Sequence, residues 1–215
     1  MGLYSKYVLP HLQHLACGSR PIERQREKVV PLAEGKVLEI GIGTGLNLPH
    51  YDRSKVTKLW GLEPAAEMQK KARQTANTLD MEVEFLDLPG EQIPLEADSV
   101  DTVLMTYTLC TIPDADLALR GMARVLRPGG KLIFCEHGAA PDANVRRWQD
   151  RINPTWRRFA GGCNVNRPIP TLIEQNGFRI NSLETMYLPG IKALSYNYWG
   201  TAEVRRAGDV SPLTE

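Results

Sequence analysis

Five short apolar runs punctuate the first two thirds of the chain: KVLEI (36–40), TKLWGL (57–62), VEFLD (83–87), VDTVLM (100–105) and KLIFCE (131–136). Runs of this length read as strands buried on both faces of a parallel sheet. The segments between them have a different period. After Pro64, the apolar positions Ala65, Met68, Ala72, Ala76 and Leu79 recur every three or four residues. That spacing predicts a helix with Gln69, Lys70, Arg73 and Gln74 toward water. Asp114 predicts the start of a second helix, with Asp116 in its positive first turn and Ala118, Met122, Val125 and Leu126 on its core face. Pro128-Gly129-Gly130 should end that helix and turn the chain into the fifth strand. A last strand pair is predicted at 178–188 and 193–204, turned at Pro189-Gly190.

Strands alternating with helices make βαβ units, so the expected fold class is α/β, a doubly wound, mainly parallel sheet. The length of 215 residues suits one such domain. Residues 1–34 read as a helical cap covering one edge, 35–205 as the domain itself, and 206–215 as a frayed tail. Within the domain, 138–176 reads as an insertion on the acceptor side, rich in Arg, Trp, Asn and Gly.

Composition narrows the partners. With a formal net charge of +1, the whole-chain field gives no argument for nucleic acid. No apolar run approaches the roughly 20 residues of a spanning helix. The N-terminus lacks the pattern of a secretion signal. Four cysteines (Cys17, Cys110, Cys135 and Cys163) occur without a CxxC or paired Cys/His spacing, so the expectation is no metal and a reduced, cytoplasmic setting. Cys110 and Cys135, in apolar stretches, read as small buried hydrophobes.

The strongest chemical signal is VLEIGIGTGLNLP, residues 37–49. A strand runs into Gly41-Ile42-Gly43-Thr44-Gly45, where glycines let the backbone turn and approach a ligand. A dinucleotide loop wants G-x-G-x-x-G with a pyrophosphate at a helix N-terminus; here Leu46 stands where the third glycine belongs. The acid before the loop, Glu39, suits an ammonium group better than a phosphate. S-adenosylmethionine has an ammonium and no phosphate. Glu63, at the end of the second strand and beside Pro64, is placed to accept from both hydroxyls of a ribose, or else serves as a helix N-terminal carboxylate.

These segments, with GLEP, PGEQIP, RVLRPGG and FCEHG, resemble the class I S-adenosylmethionine-dependent methyltransferases over about residues 36–200. YTLCTIPD, RRWQDRINPTWRR and GGCNVNR resemble, more narrowly, the methyltransferase-like thiol S-methyltransferases of animals and their bacterial relatives. They are also similar to bacterial phospholipid N-methyltransferases and ubiquinone C-methyltransferases. The resemblance implies a Rossmann-like, three-layer αβα fold of seven strands, one of them antiparallel. It implies that Glu39, Gly41, Gly43 and Gly45 hold the methionine part of the cofactor. Glu63 and Pro64 would lie at the ribose, and Leu88, Pro89, Gly90 and Glu91 along the adenine. Thr106 and Tyr107 would lie near the sulfonium. The family's D-A-E pattern after the third strand is Pro89-Gly90-Glu91 here, with Asp87 two residues earlier. The membrane-anchoring segment of the animal enzymes is not expected.

On the acceptor side the catalytic candidates are His137, after the fifth strand, and Tyr107. His137 either faces the cleft or satisfies a carbonyl under the insertion. Cys163 is either reactive or inert packing. Trp148 and Trp156, in a helix that Pro154 is expected to interrupt, bracket a possible pocket anchored by Asn153, Asn166 and Arg167. Arg146, Arg147, Arg151, Arg157 and Arg158 read as a solvated face that leaves peripheral membrane contact open. The leading function is methyl transfer to a small acceptor, a thiol or other soft nucleophile, with S-adenosylhomocysteine as product. A phospholipid N-methyltransferase is the alternative. A nicotinamide-dependent oxidoreductase and a non-catalytic cofactor-binding protein rank lower, and the oligomeric state is open.

Overall fold

The computed structural model describes residues 14–206. The N-terminal stretch through residue 13 and the tail from 207 lie outside the described residues, with the first part of the expected helical cap and nearly all of the expected tail. Seven strands form one sheet: β1 (Gly35–Ile40), β2 (Val56–Leu62), β3 (Glu84–Leu86), β4 (Val100–Thr106), β5 (Leu126–His137), β6 (Phe178–Tyr187) and β7 (Tyr196–Val204). Their order is β3-β2-β1-β4-β5-β7-β6. Only β7 runs antiparallel to its neighbours, β5 and β6. The chain winds outward from β1 to one side through β2 and β3, then returns to place β4 on the other side. This reversal opens a crevice beyond the C-terminal ends of β1 and β4, where open α/β sheets bind ligands.

The two-residue period of the strands sorts side chains onto two faces. Leu38, Ile40, Val103, Met105 and Phe134 go to one core, under α3 (Ala115–Val125) and α5 (Ile169–Gln175). Val37, Leu104, Ile133 and Cys135 go to the other, under α1 (Arg20–Val29) and α2 (Ala66–Thr78). Each fully buried aliphatic contributes about 1.5–3 kcal/mol. The same parity places Glu39, Thr106 and His137 on the face that α1 covers. α1 touches β5 and β7, which are interior strands, so this helix lies over a face of the sheet and not, as expected, over an edge.

Four local expectations need correction. Leu126 leaves the helix: α3 stops at Val125, Leu126 already pairs with Val100, and Arg127 to Gly130 form a bulge before Thr102 meets Lys131. Gln69 is buried, not solvated, because its amide bonds the Glu63 carbonyl and the Asp87 carboxylate. Pro154 does not interrupt α4 (Ala143–Phe159), which is continuous through it. Tertiary fastening overrides local propensity there. Gln149 bonds Ala140 N and the carbonyls of Gly138, Val165 and Ala193, and Asn153, one turn on, bonds Val165 N and Asn164. Last, a short helix, α6 (Lys192–Ser195), occupies the connection between β6 and β7.

Candidate active site

β1 ends at Ile40, and the next two amides, of Gly41 and Ile42, both bond the Leu62 carbonyl at the end of β2. Gly41, Gly43 and Gly45 all have positive φ, the left-handed region glycine enters without penalty. At Gly41 a Cβ would fall 2.4 Å from the Thr108 side chain, so the loop can approach the β4 end only without one. At Gly43 a Cβ would meet, among the described residues, nothing nearer than the Gly41 carbonyl at 3.8 Å. The loop then enters a three-residue 3-10 turn, Leu48–His50, not a long helix.

Glu63 closes this loop against the next helix. One carboxylate oxygen accepts from Gly43 N at 3.1 Å, the other from Ala65 N at 2.9 Å. The second of these contacts places Glu63 as a carboxylate at the N-terminus of α2, whose N-cap is Ala65. Burial raises its pKa above the usual carboxylate range, against the pull of those two amides.

Glu39 lies 1% exposed beneath the loop. Its oxygens accept from Asn47 Nδ2 at 2.8 Å and from the Tyr51 hydroxyl at 2.7 Å. Asn47 Nδ2 also donates to Thr106 Oγ1 at 2.9 Å, and Arg26 Nη1 donates to both Asn47 Oδ1 and Thr106 Oγ1 at 2.6 Å. Burial pushes the Glu39 carboxyl up, while Tyr51, Asn47 and the Arg26 charge pull it back. Sequence reasoning found Glu39 and Thr106 but missed Arg26, Asn47 and Tyr51. Asn47 lies within the loop motif, whereas no motif marks Arg26 or Tyr51, and the fold alone joins the three.

Tyr107, just past β4, has a φ of 54°, a conformation rare outside glycine and common at active sites. Its ring stacks on His137 at 6.5 Å between centroids, with the Arg26 guanidinium 5.3 Å over it. Its hydroxyl receives the Cys135 thiol at 3.5 Å. Burial, then Cys135, drives the Tyr107 pKa well up. His137 Nε2 stands 3.3 Å from Cys163 Sγ. Hydrogen bonding to Cys110 and then to His137 holds the Cys163 thiol well below its usual range, against burial. Glu136, on the opposite pleat, caps the turn after β4: one oxygen accepts from Thr108 N at 2.7 Å and Leu109 N at 3.1 Å. Burial lifts it to about 7.

Other candidates take structural places. Leu88 packs on the core, and Gly90 closes on Ile112. Glu91 accepts from Asp114 N, and Pro64 is exposed at the bend after β2. Arg167 bonds the carbonyls of Leu109 and Ile112, and Asn166 bonds Asp150. Asn153 is fastened to Val165 and Asn164. Trp148 is 60% exposed, whereas Trp156 is half-buried. A surface depression of about 450 Å³ beside His14 and Thr75 includes neither Glu63 nor Thr106.

Residues 38–134 match the family described as "Methyltransferase domain". An uncharacterized methyltransferase of Geobacillus kaustophilus is 31% identical over 153 residues, 66% of this chain and 68% of that protein. The chain belongs to the class I S-adenosylmethionine-dependent methyltransferases. The human thiol S-methyltransferase TMT1B is 36% identical over 141 residues, 63% of this chain but only 57% of the human protein. A phosphatidylethanolamine N-methyltransferase of Cereibacter sphaeroides is 32% identical over 108 residues, 49% of this chain and 52% of that protein. The fold matches a solved S-adenosylmethionine-dependent methyltransferase of Thermotoga maritima, titled a possible histamine N-methyltransferase. That match has a TM-score of 0.65 at 21% identity and covers 94% of this chain and 98% of that one.

The residues of this chain fit the family's cofactor. No side chain among the described residues crowds Gly43. Each Glu63 oxygen meets one amide and keeps acceptor capacity for a hydroxyl. Arg26 Nε, Glu136 Oε2 and Asn197 Oδ1 are buried around the β4 and β5 ends with no hydrogen-bond partner among the described residues. Groups of this kind call for a ligand or water.

Proposed function

We propose that the protein transfers a methyl group from S-adenosylmethionine to a small thiol. The observation that carries this reading is the Glu63 carboxylate clasping Gly43, which no described side chain crowds, with Glu39 beneath and no long helix for a diphosphate. Bound there, S-adenosylmethionine supplies an electrophilic methyl on a sulfonium. Gly41, Gly43 and Gly45 bring the main chain to its amino acid tail, and Glu39 gives that tail's ammonium a counter-charge. Glu63, beside Pro64, takes the ribose hydroxyls. Leu88, Pro89, Gly90 and Glu91 border the adenine, with Glu91 acting through its bond to the α3 N-terminus. Thr106 and Tyr107 flank the sulfur. Tyr107 and His137, ring on ring, line the acceptor's approach and exclude water from it. Such an in-line displacement gains chiefly from approach and orientation. Burial under α1 supplies both.

The thiol preference is supported by the likeness to the human thiol S-methyltransferase and by the soft, half-buried acceptor end. One observation favours a lipid amine instead. Trp148 and Phe159, 60% and 61% exposed, project from α4 among its arginines, a face suited to a membrane surface. No helix among the described residues is long and apolar enough to cross a membrane. Labelled cofactor offered with a panel of small thiols and with phosphatidylethanolamine vesicles separates the two. Label in the thiols is expected; label confined to the lipid overturns the thiol reading.

A further inference from the structure

A thiol titrates near 8.5 in water, so an acceptor thiol needs an agent that ionises it at neutral pH. Three separate elements converge where that agent would stand. Cys110 lies in the turn after β4, His137 is the last residue of β5, and Cys163 lies in the loop after α4. A ligand atom of each, two sulfurs and one imidazole nitrogen, lies within 4.8 Å of both others. Cys110 is buried, and the other two are half-buried.

The cluster is held from outside. Asn164, next to Cys163, donates to the Cys110 carbonyl through both its backbone N and its Nδ2 at 2.9 Å, which staples the two cysteine-bearing segments together. His137 is fixed by its place opposite Asn197 in the β5–β7 ladder and by its stack on Tyr107. Its Nε2 already points at Cys163 Sγ. In tetrahedral zinc sites, sulfur lies about 2.3 Å and nitrogen about 2.0 Å from the ion, which sets ligand atoms about 3.5–4 Å apart. The separations here need little adjustment to reach that. Two thiols and an imidazole with no oxygen donor select a thiophilic ion over magnesium or calcium. Three protein ligands, rather than four, leave a coordination position open, as in catalytic zinc sites. Spacing along the sequence gave no hint of this cluster, because no two of its members lie in one motif.

We propose that Cys110, His137 and Cys163 bind one zinc ion with a fourth position open beside Tyr107, and that this position takes the sulfur of the acceptor. The thiol then binds as its thiolate and its proton leaves to solvent. Ion binding stands on the cluster alone; the identity of the fourth ligand rests on the thiol reading.

The test uses the full chain purified under reductant, stripped of metal and titrated with zinc alone, with metal content read by mass spectrometry. One ion per chain is expected, lost in Cys110→Ser, Cys163→Ser and His137→Ala and kept in Cys135→Ser. Equal zinc uptake by the triple variant, or none by the parent, overturns the site. Cobalt loaded into the unmutated protein gives a second reading that does not depend on variants folding. Thiolate-to-cobalt charge-transfer bands are expected, and they should change when a small thiol is added without cofactor. Bands absent overturn the site; bands that ignore the thiol overturn the open position. Normal cobalt bands in a protein that methylates no thiol would remove the acceptor assignment and leave the ion site standing.

Discussion

Arg26 donates to Thr106 Oγ1 at 2.6 Å and thereby ties the N-terminal helix to the end of β4, eighty residues away. The same Nη1 reaches Asn47, so α1 closes over the glycine loop as well as over the strand. Arg26→Ala removes charged hydrogen bonds worth about 1.5–3 kcal/mol each and leaves Asn47 Oδ1 buried without its donor. A stability loss of about 2–3 kcal/mol in urea denaturation is expected, together with weaker binding of S-adenosylhomocysteine by calorimetry.

Glu63→Ala should fold and lose at least about tenfold in S-adenosylhomocysteine affinity, since one charged hydrogen bond is worth about 1.5–3 kcal/mol. Unchanged affinity would remove Glu63 from the ribose.

Glu63 also sets a pH dependence. Its folded pKa is raised by burial, and only the ionised form accepts from two hydroxyls at once. Affinity for S-adenosylhomocysteine should be full above that raised pKa and decline as pH falls through it, at higher pH than for an unburied glutamate. Calorimetry across a pH series checks the sign; a decline confined to the ordinary range would contradict it.

The two glycines of the loop should separate fold from binding. Gly41→Ala collides with Thr108 and should destabilise the protein. Gly43→Ala meets no described side chain and carries only the left-handed penalty of about 1–2 kcal/mol, yet it should weaken cofactor binding. Paired melting and binding measurements on the two variants distinguish these outcomes.

Pro154→Ala restores an amide donor toward Asp150 in an exposed stretch of α4. A gain of about 2 kcal/mol is expected, the helix-interior penalty of proline of about 3 kcal/mol less about 0.4–1 kcal/mol for the entropy it removes from the unfolded chain. Thermal unfolding measures it.

Much of this architecture is written locally. The five early strands fall within a few residues of their apolar runs; β1 and β4 are buried along most of their length, whereas β3, at the sheet edge, is only half-buried and so departs from the expectation of burial on both faces. The loop glycines are legible for a reason of their own, since the positive φ of Gly41, Gly43 and Gly45 favours glycine. What local pattern does not carry is side-chain traffic between distant segments. Gln69 sits on a polar stripe yet turns inward to Asp87, and Pro154 sits mid-helix where Gln149 and Asn153 hold the backbone. Arg26 reads as one more charge on a polar helix until the fold delivers it to Thr106. The meeting of Cys110, His137 and Cys163 belongs to this class, three residues from three elements with no shared motif.

The most direct test follows the methyl group itself. The purified chain is given S-adenosylmethionine carrying a trideuterated methyl and a small aliphatic thiol, and both products are weighed by mass spectrometry. The expected result is the deuterated thioether and S-adenosylhomocysteine in equal amounts, both abolished with Glu63→Ala at low cofactor. An unmodified thiol, with the deuterated methyl found only on an amine or still on the cofactor, would contradict it.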